Sequence, residues 1–230
     1  MRFVIVATML ASLGCSTRPL AHAYSSLSNP PDLREPAPIP AAELFPLGPR
    51  QARFEFVAGP LTGTTVNYRF QTDGNQWRQM LEGLRVVTLD RRDDGAIVIV
   101  SEEDVEENAL VSYDPALVLL PAQVRMSPSV KGWAEMTVRN LNNHSLRAKG
   151  TCHYQVQMLG TSMVTTPAGK FEAVIVRTVR RISLPLADVT VTIHTAYVLD
   201  RGKIAEHIER VTRTLGTFSF TRVSDMRLGR

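Results

Sequence analysis

Val189-Thr190-Val191-Thr192-Ile193-His194-Thr195-Ala196-Tyr197-Val198-Leu199 is the stretch whose reading decides the fold class. Val189, Val191, Ile193, Thr195, Tyr197 and Leu199 fall on one face, and Thr190, Thr192 and His194 on the other. This period of two is the mark of a half-buried β-strand, and the β-branched content suits a pleated surface. Asp200-Arg201-Gly202-Lys203 then supplies a turn into a further strand over Ile204–Thr214, with Phe218 and Phe220 suggesting a closing one.

The same period extends towards the N-terminus. Phe171–Leu184 is long and β-branched. Cys152, Tyr154, Val156 and Met158 alternate with His153, Gln155 and Gln157, and Ala134, Met136 and Val138 alternate with Glu135, Thr137 and Arg139. Earlier still, Phe54 and Phe56, then Val66, Tyr68 and Phe70, keep the alternation. Asp73-Gly74-Asn75 and Asp93-Asp94-Gly95 are hairpin signals, the second joining strands over Gly83–Asp90 and Ala96–Ser101. Ala109–Tyr113 reads as another strand before Asp114-Pro115, and Leu117–Leu120 is a short apolar run closed by Pro121. Trp77, Met80, Leu81 and Leu84 also fit helical spacing, so a short helix is an alternative there. The pattern predicts a mainly β domain of roughly ten strands with little helix, in antiparallel meander connections.

The N-terminal part is of another kind. Arg2 precedes the uncharged run Phe3–Leu13, and Ser12-Leu13-Gly14-Cys15 closes it. About eleven apolar residues suit the core of a secretory signal, whereas a membrane-spanning helix needs about twenty. This stretch resembles the lipobox signals of bacterial lipoproteins. The resemblance implies cleavage before Cys15, a diacylglycerol on its thiol and acylation of the new amine. Ser12 and Leu13 depart from the usual residues of the pattern, and Gly14 fits it. Ser16, where aspartate would signal retention at the inner membrane, leans towards the periplasmic face of the outer membrane. The ordinary alternative is a cleaved signal in which the cysteine is incidental.

From Ser16 to about Arg50 the chain carries Pro19, Pro30, Pro31, Pro36, Pro38, Pro40, Pro46 and Pro49. Proline fixes φ and removes donors, so this reads as an extended tether able to reach up to roughly 100 Å at about 3.1 Å per residue. The alternative is that part of it, such as Ala41–Leu47, packs onto the domain. The expected division is therefore 1–14 signal, 15–50 lipidated Pro-rich tether and 51–230 β-rich extracytoplasmic domain.

The 230 residues carry 26 Lys and Arg against 22 Asp and Glu. The basic excess lies mainly after residue 120, and Asp90–Glu107 is acidic. This asymmetry fits solvated faces, self-complementary packing or attraction to anionic surfaces. No nucleic-acid motif accompanies it. With Cys15 lipidated, Cys152 is left alone and no intramolecular disulfide forms.

Thr165-Thr166-Pro167-Ala168-Gly169-Lys170-Phe171-Glu172-Ala173-Val174 is a hairpin corner, with Pro167 presetting the turn, Gly169 permitting it and Phe171 expected to face inward. Together with Tyr113-Asp114-Pro115, Leu119-Leu120-Pro121 and Gly132-Trp133, it resembles a group of uncharacterised β-rich bacterial envelope lipoproteins carrying a Pro-Ala-Gly-x-Phe-(Asp/Glu)-Ala hairpin. The likeness covers roughly residues 60–215, and Arg201-Gly202-Lys203-Ile204 departs from it. It implies a single curved antiparallel sheet or half-barrel, and brings no catalytic residues.

Catalytic signatures are missing. There is no Gly-x-Ser-x-Gly elbow, Glu206-His207 lacks the second histidine of a zinc protease, and no glycine loop cradles phosphate. Three weaker constellations remain. His153 and His194 would share a metal if their strands were neighbours. Cys152 adjoins His153, although alternation points them to opposite faces and favours a buried structural thiol. Glu102, Glu103, Asp104, Glu106 and Glu107 offer oxygen ligands for calcium, or else form an exposed hairpin end. Asn143-His144-Ser145 matches a glycosylation sequon. The expectation is a non-enzymatic, cofactor-free envelope protein, bound to the membrane by lipid, that carries an apolar ligand or binds a protein partner. A large unfilled apolar cavity would mark a carrier. The alternatives are an assembly component acting through strand edges and, less favoured, an enzyme with an unrecognised site.

Overall fold

The structure is a computed structural model that describes residues 26–214 and 218–230. The proposed signal and Cys15 lie outside the described residues. A two-residue strand β1 (Ile39–Pro40) and a four-residue helix α1 (Ala41–Leu44) come first. There follow β2 (Arg50–Ala58), β3 (Thr65–Asp73), β4 (Gln76–Leu81), β5 (Arg85–Arg91), β6 (Ile97–Asp104) and β7 (Ala109–Leu120). After the short β8 (Gln123–Val124) come β9 (Val130–Asn140), β10 (Leu146–Thr166), β11 (Gly169–Leu184), β12 (Ala187–Val198), β13 (Gly202–Thr214) and β14 (Phe218–Leu228).

Twelve of these strands form a closed antiparallel barrel in sequence order, β14 returning to β2 through Met226↔Phe56 and Leu228↔Phe54. The meander expectation is met. The single curved sheet or half-barrel is not: β14 has a partner in β2 and β7 has one in β9, so the sheet closes on itself. Closure removes the exposed strand edges on which an edge-pairing scaffold would rely. Trp77–Leu81 is strand, because Trp77, Gln79 and Leu81 face Leu89, Val87 and Arg85 across β4–β5. Ala109–Tyr113 and Leu117–Leu120, separate in the sequence reading, are one strand.

The inward row holds Phe54, Tyr68, Phe70, Leu89, Ile99, Cys152, Val156, Met158, Val176 and Tyr197, all nearly inaccessible. The outward row holds Arg53, Asn67, Arg69, Lys131, Glu135, Arg139, Lys149, Thr151, His153 and Arg181, all exposed. A barrel that crosses a bilayer shows lipid an apolar band about 25 Å tall. The outward positions of this wall are charged or polar instead, so it faces water. Phe171 differs from its expected placement: it shares the row of Ala173 and Ile175, half-buried, with the Arg201 guanidinium 4.7 Å from its ring centroid. Gly132 has a packing role, since a Cβ there would lie 2.3 Å from Tyr154 Oη, its neighbour across β9–β10.

At the rim formed by the β3–β4, β5–β6, β10–β11 and β12–β13 turns, the barrel wall splits. β9 pairs with β7 only from Ala109 to Asp114, and with β10 only from Leu146 to Val156. This leaves a wedge between the end of β7 and the end of β10. The stretch read as tether fills it. Arg34 and Thr161 exchange backbone hydrogen bonds of 3.0 and 2.8 Å, Ser162 Oγ donates to Pro31 O at 2.7 Å, and Ile39 pairs with Val124. Ala41 N donates to Ala122 O, and Asp200 N donates to Glu43 O. Leu27, Ala41, Leu44 and Phe45 are almost wholly buried. Phe45 meets Phe70 and Tyr197 edge-on at 5.3 and 6.2 Å, beneath the Arg50 guanidinium. Residues 26–49 thus act as strap and cork, which is the packing alternative and extends well beyond Ala41–Leu47. The reach of an extended chain does not apply to them.

Candidate functional site

Among the described residues, two places that combine space with polar groups stand out. The first is inside. Charged residues at inward positions meet across the lumen: Arg85 Nη2 on β5 lies 2.7 Å from Glu206 Oε1 on β13, and Arg180 Nη1 on β11 lies 2.6 Å from Glu102 Oε1 on β6. Lys203 Nζ reaches the other oxygen of Glu206 at 3.0 Å and lies 5.7 Å from the Tyr68 ring centroid. These five side chains, with Gln79, Thr178, Thr195 and Tyr197, surround a cavity of about 40 Å³.

Burial pushes the Glu206 carboxyl up, but Lys203 and Arg85 outweigh it and hold its pKa down at about 2. Burial lowers the Lys203 ammonium to about 8 against the pull of Glu206. The Glu102 carboxyl, opposed by burial, is lowered by Arg180 and Arg85. Burial also raises the Tyr113 phenol. The lumen is therefore a packed ionic layer, not the large apolar cavity that would mark a carrier of the curved-sheet kind.

The second place is the wedge. Beside the strap, Pro121, Val124, Pro128, Val130, Val156 and Met158 line a cleft of about 310 Å³, with Arg125 and Gln157 among its polar members. Gln157 Nε2 donates to Met126 O at 3.3 Å and Gln155 Nε2 to Ser129 Oγ at 3.0 Å, which holds the 121–129 connection against β10. Arg125 is exposed. The cleft has the composition of a small-ligand site, apolar with a few polar groups, at the lower end of the usual size range of about 300–1,000 Å³.

No family model matches the chain, and no curated protein matches it. A crystal structure of a provisionally assigned lipoprotein from Parabacteroides distasonis is similar over 80% of this chain and 96% of that one, at 12% identity and a TM-score of 0.38. A likeness at that level decides nothing about this chain.

The residues singled out in the sequence are placed as follows. His153 and His194 do not meet. β11 lies between their strands, and His153 pairs with Arg181 while His194 pairs with Arg177. Two strand spacings and four residues of rise put them roughly 16 Å apart. His194 instead pairs with His207, ring centroids 6.2 Å apart, and His207 Nδ1 lies 3.4 Å from Asp225 Oδ2. Cys152 points inward, and burial raises its thiol to about 11, so it is a poor nucleophile. The acidic run does not converge on a cation: Glu102 pairs with Arg180, Glu103 with Arg78, Glu106 with Arg222 and Glu107 with Arg210. The charge asymmetry of the sequence is in these pairs self-complementary. The sequon Asn143 sits in the β9–β10 turn, accepting from Ser145 N.

Arg85, Arg180, Lys203 and Glu206 were missed. The available signal was a charge at an inward position of a strand, as Arg180 is two residues from Thr178 in the row of Val176.

His194 has a measurable consequence. Burial first, then His207 and Arg177, depress its pKa from 6.5 to about 4. The unfolded chain therefore binds more protons in this window, and folding stability rises as pH increases from about 4 to 6.5. Denaturant titrations across that range are expected to show the slope in the parent and a flatter one in His194→Gln. An unchanged slope in the variant contradicts the assignment.

Proposed function

We propose that the protein is a lipid-anchored, non-enzymatic β-barrel of the bacterial envelope that holds a small amphipathic ligand in the cleft beside its strap. The cleft carries this reading: an apolar floor of Val124, Val130, Val156 and Met158, with the exposed Arg125 at its polar side, suits an acyl or similar chain with an anionic head. The water-facing wall agrees with a domain held at a membrane by lipid rather than passing through it. The lipobox of residues 12–15 supplies the anchor, with Cys15 as the acylated residue and the periplasmic face of the outer membrane as its place. The folded-back strap links anchor and cleft, since the chain that enters the wedge continues directly from the lipidated end.

Two experiments test it. Cells given radiolabelled palmitate are expected to label the parent protein and not Cys15→Ser; an unlabelled parent removes the anchor. Titration of the purified domain with a fluorescent fatty acid is expected to saturate at one site, and Val130→Trp, which fills the cleft, to weaken binding at least tenfold. Binding unaltered by that substitution places the ligand elsewhere.

A second reading is an assembly component. At the opposite rim, Leu186, Phe218 and Phe220 are 67%, 76% and 57% exposed and adjoin one another through the Ala187↔Thr214↔Phe218 register. A stoichiometric envelope partner that co-purifies, and is lost in Phe218→Ser, would favour it.

A further inference from the structure

The ionic layer within the lumen is unevenly charged. Arg85, Arg180 and Lys203 line the internal cavity with only Glu102 and Glu206 against them. Both carboxylates are already engaged, Glu206 by Arg85 and Lys203 and Glu102 by Arg180. Arg50, whose Nη2 lies 3.5 Å from Tyr68 Oη, adds positive charge on the same side of the lumen. Gln79, Thr178 and Thr195 add neutral hydrogen-bond donors to the lining. An uncompensated charge in a protein interior is costly, and here three cations face two carboxylates. The cavity of about 40 Å³ exceeds the roughly 10–15 Å³ that one water needs. It is too small for an organic phosphate or a sugar.

We propose that this cavity binds one small inorganic anion of halide size, held by Arg85, Arg180 and Lys203. The ion completes the charge balance of the layer and ties together strands from opposite walls of the barrel. Its affinity depends on Lys203 being protonated. Facing that ammonium are Glu206 on its own strand, Arg85 from β5, Arg50 and the Phe54 ring from β2, Tyr68 from β3 and Tyr197 from β12. Halide dependence is therefore strong at pH 7 and fades above pH 8, where burial has removed the proton.

The test compares thermal unfolding in sodium chloride and in sodium gluconate at equal ionic strength, with crystals of the same protein grown in sodium bromide. The expected result is a melting temperature that rises by about 3 °C per tenfold increase in chloride above its Kd, and not with gluconate. One anomalous bromide peak is expected within hydrogen-bonding distance of Arg85, Arg180 or Lys203. Lys203→Met is expected to abolish both; if that variant does not fold, the parent protein alone decides. Identical melting in the two salts, with water only in the cavity, overturns the proposal. A bromide peak confined to the surface, an adventitious ion only, does the same.

Discussion

Phe45→Ala is expected to lower the unfolding free energy by about 3–5 kcal/mol, the usual cost of emptying a buried aromatic site. Phe45 is 1% exposed and wedged between Phe70 and Tyr197 at the mouth of the barrel, with the adjacent Leu44 and, earlier in the strap, Leu27 equally buried. In a free tether the same substitution would change stability by no more than about 0.5 kcal/mol. Urea denaturation separates the two outcomes. Gly160→Val probes the strap by a different route. Gly160 has φ of +141°, and a Cβ on it would sit 2.6 Å from Arg34 O, the carbonyl that bonds to Thr161 N. A side chain there must push the strap off β10, at a cost of about 1–3 kcal/mol from backbone strain alone. Limited proteolysis should then cut within residues 28–40 of the variant before it cuts the parent. Parent-like stability for Phe45→Ala and unaltered proteolysis for Gly160→Val would return residues 26–49 to the status of a tether.

Glu206→Gln is expected to have the other large effect, about 3–5 kcal/mol of destabilisation at pH 7. It keeps the shape of the side chain and removes the charge that compensates Arg85 and Lys203. The pair is no proof of net stabilisation, because desolvating its members offsets much of their attraction; a paired replacement, Arg85→Met with Glu206→Leu, is expected to be far milder than the single change. The loss in Glu206→Gln should shrink above pH 8, where Lys203 gives up its proton. At low pH the difference shrinks as well. A carboxyl held at about 2 in the folded state contributes its full stability above the unfolded value of 4.5 and loses it as pH falls towards 2. The parent should therefore lose stability over that range more steeply than Glu206→Gln. A loss of under 0.5 kcal/mol at pH 7 would mean that the lumen is hydrated enough to solvate the cations without help.

The barrel strands were readable because each shows one face to water and one to the core, which imprints a period of two on residues such as Val189–Tyr197 and Cys152–Met158. The turns were readable because glycine and aspartate are needed where Gly74 and Gly95 take positive φ. Closure was not readable. It depends on β14 meeting β2, a pairing set by accumulated twist and stagger around the whole wall rather than by any local residue. The strap was obscured for a related reason. Proline excludes it from the regular ladder, so its composition matches a linker, while its burial rests on a few anchors such as Leu27 and Phe45 without period. The ionic layer was hidden because Glu102 and Arg180 look like ordinary surface charges until the barrel sets them face to face. The cleft lies between β10 and the β8 region, at a defect in the wall, and a defect leaves no repeat in a sequence.

The reading of the protein as a ligand-holding barrel is tested most directly by native mass spectrometry of the domain purified gently from its own envelope, alongside Val130→Trp prepared in the same way. The expected result is one additional mass of single-chain amphiphile size on the parent, absent from the variant. A bare parent mass, or an adduct that Val130→Trp retains, would contradict it.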